Sequence, residues 1–289
     1  MNQKIAFVIN PNAGVKKKIN IIEFIKEHFP KTISYDFIVW KNKDDFESVK
    51  QQILSGNYTI VVACGGDGTV NQVSSVLAHT TMALGIFPLG SGNGLARSNK
   101  IPLDLKQALQ IIERGTIKQI DGATINGHPF FCTAGVGFDA HIANEFATST
   151  KRGFVTYFKT TVKEFFSYTP SLYKITVDGR SIEVKAFLIT VANAGQWGND
   201  VYIAPEADMS DGILNVSILK EFPKIAIPMI GIKLFSKKIH TSIQLISEKG
   251  KHIDIEFSGE LPVHFDGEPL TISDKLSISI MPLALKVVC

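Results

Sequence analysis

The chain has 289 residues, of which 45% are hydrophobic and 20% charged, which is enough for two domains with sizeable cores and excludes a disordered chain. A formal charge of only +3, with no dense Arg/Lys stripe, argues against a nucleic-acid partner, while an anionic ligand or an anionic membrane surface stays compatible. Cys64, Cys132 and Cys289 form no Cys-x-x-Cys pair, so neither a zinc site nor a disulfide framework is expected, and a reducing cytoplasm is the simplest compartment. The apolar part of residues 1–10 is too short for a signal peptide. The stretch 225–232 falls far short of the ~20 residues that cross a bilayer.

Up to residue 125 the pattern alternates. Strands are expected at 4–10, 35–40, 59–64 and 82–88, and helices at 16–28, 43–54, 69–78, 92–98 and 104–114. Such alternation predicts an α/β domain built on a doubly wound, mostly parallel sheet, with ligands outside the carboxyl ends of the strands. Three of those ends are rich in Gly and Asn: Asn10-Pro11-Asn12-Ala13-Gly14, Gly65-Gly66-Asp67-Gly68-Thr69, and Pro88-Leu89-Gly90-Ser91-Gly92-Asn93-Gly94-Leu95-Ala96-Arg97. Glycine lets the backbone approach a ligand closely, and a helix start offers N–H groups and a positive dipole end to an anion. Neither a P-loop nor a Gly-x-Gly-x-x-Gly fingerprint is present. Phosphate is therefore expected on the N–H groups of 65–69 and 90–94, with the Thr69 and Ser91 hydroxyls. Asp67 would repel phosphate. Its open roles are to act through Mg²⁺, to accept a proton or hydroxyl, or to cap a helix.

From about residue 117 the character changes. Strands are expected at 117–125, 129–136, 172–178, 181–193, 213–219, 241–247, 251–257 and 276–281, with helices near 139–148, 153–167 and 222–236. Asn126-Gly127 and Asp178-Gly179 are hairpin signals. The expected second domain, 126–283, is a mainly antiparallel β-sandwich following the α/β domain 1–125, and 284–289 is a candidate to return to the first domain.

The three loops, in this order, resemble the diacylglycerol kinase catalytic domain family, which includes bacterial soluble lipid kinases and sphingosine and ceramide kinases. The resemblance covers nearly the whole chain. Gly-Gly-Asp-Gly alone is shared with NAD kinases and phosphofructokinases. The resemblance implies an NAD kinase/lipid kinase-like first domain, ATP and Mg²⁺ as cofactors, and a nucleotide site at Asn10, Gly65, Gly66, Asp67, Gly68, Thr69, Asn71, Gly90, Ser91, Gly92 and Asn93.

Further matches follow. Gly135-Val136-Gly137-Phe138-Asp139-Ala140 resembles the family's Gly-Phe-Asp element, implying that Asp139 lies near a lipid head group or in a metal–water network; by itself it reads equally as a helix cap. Residues 204–214 resemble a segment that closes around a structural Mg²⁺, implying Asp208, Asp211 and the backbone carbonyl of Ile213 as ligands, against a plain Asp-Gly turn. Val263-His264-Phe265-Asp266-Gly267-Glu268-Pro269 resembles the Asp-Gly-Glu segment, implying a general base, Glu268 first and Asp266 second, against an Asp-Gly hairpin. His264 reads as a strand residue and not a metal ligand. Relatives often carry a threonine where this chain has Val39-Trp40-Lys41, and Trp40 either stacks on a base or covers the sheet edge.

The apolar, aromatic stretch 153–166 with its lysines reads as core or as an amphipathic helix near a membrane. Phe222–Lys238 is a second candidate for surface docking, and one exposed apolar patch is expected. The leading reading is an ATP- and Mg²⁺-dependent lipid kinase acting on a hydroxyl of a diacylglycerol- or sphingosine-like lipid, cytoplasmic and transiently at a membrane surface, with a homodimer left open. NAD kinase is the alternative, disfavoured because 193–199 lacks an Asn-Glu element. A non-catalytic nucleotide- or lipid-binding module is the third, disfavoured by the presence of Asp67, Asp139, Asp211, Asp266 and Glu268.

Overall fold

β-branched runs and amphipathic stretches alternate through the first half and form β1 (Lys4–Ile9), α1 (Ile21–His28), β2 (Ser34–Val39), α2 (Phe46–Ser55), β3 (Ile60–Gly65), α3 (Asp67–Leu77), β4 (Ala83–Pro88), α4 (Gly94–Ser98) and α5 (Leu105–Arg114). The structure, a computed structural model, describes residues 4–11, 20–40, 45–148, 161, 164–165 and 167–289. Residues 12–14 of the first loop, Lys41, the starts of the helices expected at 16–28 and 43–54, and most of 153–166 lie outside the described residues. Two units are distinguished: Met1–Ile120 with Leu283–Cys289, and Asp121–Pro282.

In the first unit the strands pair in parallel in the order β2-β1-β3-β4. Every residue of β3 and β4 is buried, as a sheet covered on both faces requires. Lys286 and Val287 add a further parallel pairing, beside Ala83 and Leu84 of β4. The chain runs from β1 outward to β2, then back past β1 to β3. The direction of winding therefore reverses between β1 and β3, and a crevice at their carboxyl ends is where such sheets bind ligands. The core is apolar and aromatic: the buried Phe7 ring meets Phe29 and Tyr35 edge-on, with centroids 5.3 and 5.7 Å apart. Side-chain caps start α1 and α5, Asn20 accepting from Glu23 N and Asp104 from Gln107 N.

The second half forms β5 (Ile117–Ile125), β6 (His128–Phe130), β7 (Thr133–Gly137), α6 (Phe138–Thr148), β8 (Ser171–Val177), β9 (Arg180–Ala192), β10 (Gln196–Gly198), β11 (Val201–Tyr202), β12 (Leu214–Lys220), α7 (Ile227–Phe235), β13 (Leu245–Gly250), β14 (His252–Phe265) and β15 (Glu268–Val288). In the second unit the pairings are antiparallel. β9 and β14 each pair with β8 over one half and with β7 over the other, so both contribute to the two layers of the sandwich. Between the layers lie Val136, Tyr173, Ile189, Val216, Ile255 and Leu276.

Several expectations are revised. The strand expected at 129–136 is two strands, because the Phe131 and Cys132 N–H groups donate to the Asp266 carboxylate rather than to a ladder. The strand expected at 241–247 is shifted to Leu245–Gly250. The expected 251–257 and 276–281 are parts of the long β14 and β15. Their pairing shifts register between Glu256 and Glu260, where Gly259 has φ 78°, and this bulge interrupts the alternation visible in the sequence.

Asn126-Gly127, Asp178-Gly179 and Asp266-Gly267 each form a two-residue hairpin turn with both φ values positive, the geometry that favours Asn or Asp followed by Gly. Asp178 also accepts the N–H groups of Lys251 and His252 at 2.9–3.1 Å, which hold its carboxyl below the usual range. A lowered folded-state pKa stabilises the protein above the ordinary carboxylate value of about 3.9, and the contribution is lost as pH falls through the lowered value. Asp178→Asn is therefore expected to lower Tm at neutral pH, and to lower it less in acid, below the ordinary carboxylate value. An equal Tm loss at both pH values would contradict this assignment.

Candidate active site

β3 runs into α3 through a turn with no room for side chains. A Cβ on Gly65 would lie 2.5 Å from the Thr69 side chain, and one on Gly90 would lie 2.8 Å from Gly66 Cα. The turn after β3 and the turn after β4 thus touch backbone to backbone. A Cβ on Gly92 would meet Asp67 Oδ2 at 2.8 Å.

Asp67 is the first residue of α3, yet the helix it caps is the next one. Its Oδ2 accepts from Asn93 N at 3.0 Å and its Oδ1 from Gly94 N at 2.7 Å, at the start of α4. Burial pushes its pKa up, opposed by those N–H groups and by the charge of Arg97. Asn93 sits at φ 49° and closes its own loop, accepting from Gly90 N at 3.0 Å and donating to Gly90 O at 2.8 Å. Arg97 Nε donates to Gly92 O at 3.1 Å.

The expected phosphate donors therefore divide. The N–H groups of Gly90, Asn93 and Gly94 are engaged by protein acceptors. The first turn of α3 contributes the N–H groups of Gly68 and Thr69, which have no acceptor within the helix. Thr69 Oγ1 accepts from Asn10 Nδ2 at 3.1 Å, which joins the end of β1 to the start of α3 across the point where the winding reverses. Asn71 is buried on α3. Trp40 is buried with its ring 5.0 Å from Phe46, so it covers the sheet edge.

The carboxylates of the second unit sit in separate surroundings. Asp266 Oδ1 accepts from Cys132 N and Thr133 N at 2.8 and 3.1 Å, and Oδ2 from Phe131 N at 2.9 Å. Glu268 follows the turn, is exposed, and pairs with Phe265. His264 is one residue earlier on the strand, so it points to the opposite face from Phe265. There His264 Nε2 and Thr190 Oγ1 both meet Asp139 Oδ2, at 3.1 and 2.8 Å, while Asp139 Oδ1 accepts from Ala140 N. The Asp139 and His264 side chains are 9% and 5% exposed. A Cβ on Gly135 would lie 3.0 Å from that carboxylate, so the glycine makes space for it. By strand alternation, Asp139 and Glu268 lie on opposite faces of the β14–β15 hairpin. Thr190 and His264 were not singled out as site residues from the sequence. The signal that could have found Thr190 is that it is the one polar residue within Phe187-Leu188-Ile189-Thr190-Val191-Ala192.

Asp208 and Asp211 are exposed, and each folds Oδ1 onto an N–H two residues on, Ser210 N at 2.9 Å and Ile213 N at 3.0 Å. The loop is tied to β5 by the buried Asp121, whose Oδ2 accepts from Gly212 N at 2.7 Å. Among the described residues no group of three His, Cys, Asp or Glu side chains is placed to hold a metal ion. Two exposed carboxylates and the Ile213 carbonyl are hard oxygen donors and suit a cation that keeps several waters. A pocket of about 340 Å³ is lined by His141, Glu164, Tyr168, Tyr173, Leu261 and Pro262 among others, with His141 Nε2 3.2 Å from Glu164 Oε2.

Residues 4–125 match the family described as "Diacylglycerol kinase catalytic domain", and residues 132–289 the "YegS C-terminal NAD kinase beta sandwich-like domain". A "Probable lipid kinase YegS-like" of Yersinia pestis is 30% identical over 256 residues, covering 86% of this chain and 84% of its own. One of the same name from Pseudomonas aeruginosa is 29% identical over 254 residues, covering 86% and 82%. A solved diacylglycerol kinase from Bacillus anthracis superposes with a TM-score of 0.74 at 22% identity, covering 99% of this chain and 96% of that one. An NAD kinase from Archaeoglobus fulgidus, solved with ATP, gives 0.54 at 12%, covering 99% and 94%. These two structural likenesses concern the fold.

Asp67→Ala leaves two buried N–H groups unpaired at the start of α4, and a loss of at least about 2 kcal/mol is expected in urea unfolding. Asp67→Asn keeps an acceptor oxygen and is expected to lose less. Equal stability of all three proteins would remove the bridging role.

Proposed function

The chain belongs to the diacylglycerol kinase catalytic-domain family, and on that premise we propose that this kinase uses ATP and Mg²⁺ to phosphorylate a hydroxyl of a diacylglycerol- or sphingosine-like lipid. The observation that carries the reading is the interlocked pair of glycine turns after β3 and β4, beside the reversal point of the parallel sheet. In this reading the first unit binds nucleotide and the second binds acceptor and metal.

The N–H groups of Gly68 and Thr69 meet phosphate oxygens at the positive end of α3. Asn10 donates to Thr69 Oγ1, so the hydroxyl proton of Thr69 is directed elsewhere and can be donated to phosphate. Asp67 keeps the two turns together and does not touch the anion. Glu268 is the general base: it takes the proton of the acceptor hydroxyl as that oxygen bonds to the γ-phosphorus, the bond from phosphorus to the β,γ-bridging oxygen breaks, and ADP leaves. Asp266 is less suited to that task, since its carboxylate accepts three backbone N–H groups. Asp208, Asp211 and the Ile213 carbonyl would hold Mg²⁺, which would supply rigidity and charge balance to the loop. Asp139 positions the start of α6 through His264 and Thr190, and it reaches the acceptor only through that element. Cytoplasmic residence with transient contact at a membrane belongs to the same proposal.

The test is transfer from radiolabelled ATP to a panel of lipids in mixed micelles, with NAD as an additional acceptor. Phosphorylation of at least one lipid is expected. Transfer to NAD alone would replace this reading by an NAD kinase, and no transfer at all by a non-catalytic module. Glu268→Gln is expected to lower kcat by orders of magnitude while ATP binding and Tm stay unchanged. Asp266→Asn is expected to lower Tm, because three N–H groups lose a charged acceptor. A fully active Glu268→Gln protein would rule out Glu268 as the base.

A further inference from the structure

α7 turns one side to the core and the other to water. Ile230 is buried, and Leu234 packs with it against the cluster of Phe138, Ile203 and Leu219. On the other side Met229, Ile232 and Phe235, three residues apart, are 57%, 63% and 54% exposed. Ile225, in the turn before the helix, is 89% exposed, and Ile243 beyond it 85%. Single exposed apolar residues are ordinary. Here five of the ten large hydrophobics that are exposed among the described residues fall between Ile225 and Ile243. Such a concentration marks an interaction surface.

Its charge says what kind. Residues 220–243 hold five lysines, Lys220, Lys224, Lys233, Lys237 and Lys238, against the single acid Glu221. That is a net +4 in a chain whose total is +3, so the rest of the molecule is slightly acidic. Glu221 is itself paired at 2.9 Å with Lys185, outside the segment. Lys233 Nζ donates to Thr241 O at 3.0 Å, and Lys237 lies 4.4 Å over the Tyr202 ring, which fixes two of the charges beside the helix. A second copy of the chain would bring the same patch against itself and oppose lysine to lysine. An apolar helix face edged by lysines is the pattern of a segment lying in the plane of an anionic membrane.

We propose that α7, with the turn before it, docks this protein on an anionic lipid surface. Met229, Ile232 and Phe235 enter the boundary between head groups and acyl chains, and the lysines meet lipid phosphates. The proposal deepens the lipid-kinase reading, since it says how the enzyme meets an acceptor that does not leave the bilayer.

Flotation of the whole protein with vesicles, without ATP, separates the two ideas, because docking is then read without catalysis. Vesicles of phosphatidylcholine with phosphatidylglycerol are expected to bind it, and phosphatidylcholine alone to bind it weakly. The double variant Ile232→Glu/Phe235→Glu is expected to lose vesicle binding at least about tenfold with an unchanged Tm. Lys224→Ala/Lys238→Ala is expected to weaken binding at low salt and to differ less from the wild type at high salt. Equal binding to both vesicle types would overturn the proposal, as would a double glutamate variant that still floats. A dimer seen by light scattering and split by Ile232→Glu/Phe235→Glu would assign the face to a second copy instead. Failure of the kinase reading would show separately, as vesicle binding without transfer to any lipid.

Discussion

The carboxylate of Asp67 is the constraint on which the ligand edge of the first unit depends. It is buried, and it fastens the turn after β3 to the turn after β4. A buried carboxylate is costly unless it is well hydrogen-bonded, and here the N–H groups that α4 cannot pair internally supply the bonds. The glycines follow from this contact. With Gly66 against Gly90, and Gly92 against the carboxylate itself, any larger residue pushes the turns apart. One acidic side chain and a row of absent side chains thus describe a single joint.

The same economy recurs in the second unit. Three of its hairpin turns begin with Asn or Asp followed by Gly, both at positive φ, and each of those leading side chains bonds to backbone outside its own turn. Asn126 holds Lys275 and Ser277 of β15, Asp178 holds Lys251 and His252, and Asp266 holds Phe131, Cys132 and Thr133. A turn residue chosen for its backbone conformation doubles as a pin for the register of its neighbours.

The parallel sheet was legible because β-branched runs, helical spacing and glycine turns all agree over residues 4–114. The glycine turns could be read as an anion site, but the direction in which Asp67 points could not, since a first-turn aspartate looks like a cap of its own helix. The long β14 and β15 were only partly legible because a bulge at Gly259 breaks their alternation. The link between His264 and Asp139 joins residues 125 positions apart, and nothing local marks it. At 266–268 the hairpin is there, and Asp266 is absorbed by it while Glu268 stays exposed.

The pairing of Lys286 and Val287 with β4 has a consequence for how the chain is made. Residues 4–120 leave a ribosome early, yet their sheet lacks its neighbour on the β4 side until residues 286–287 emerge, after the whole of the second unit. Closing that pairing joins segments about two hundred positions apart, and contacts of such long sequence separation form slowly. During synthesis the first unit therefore waits with one flank of β4 open, a period in which an unpaired strand edge invites mispairing. The helices and the interlocked turns of the nascent unit can form before then; its sheet is completed last.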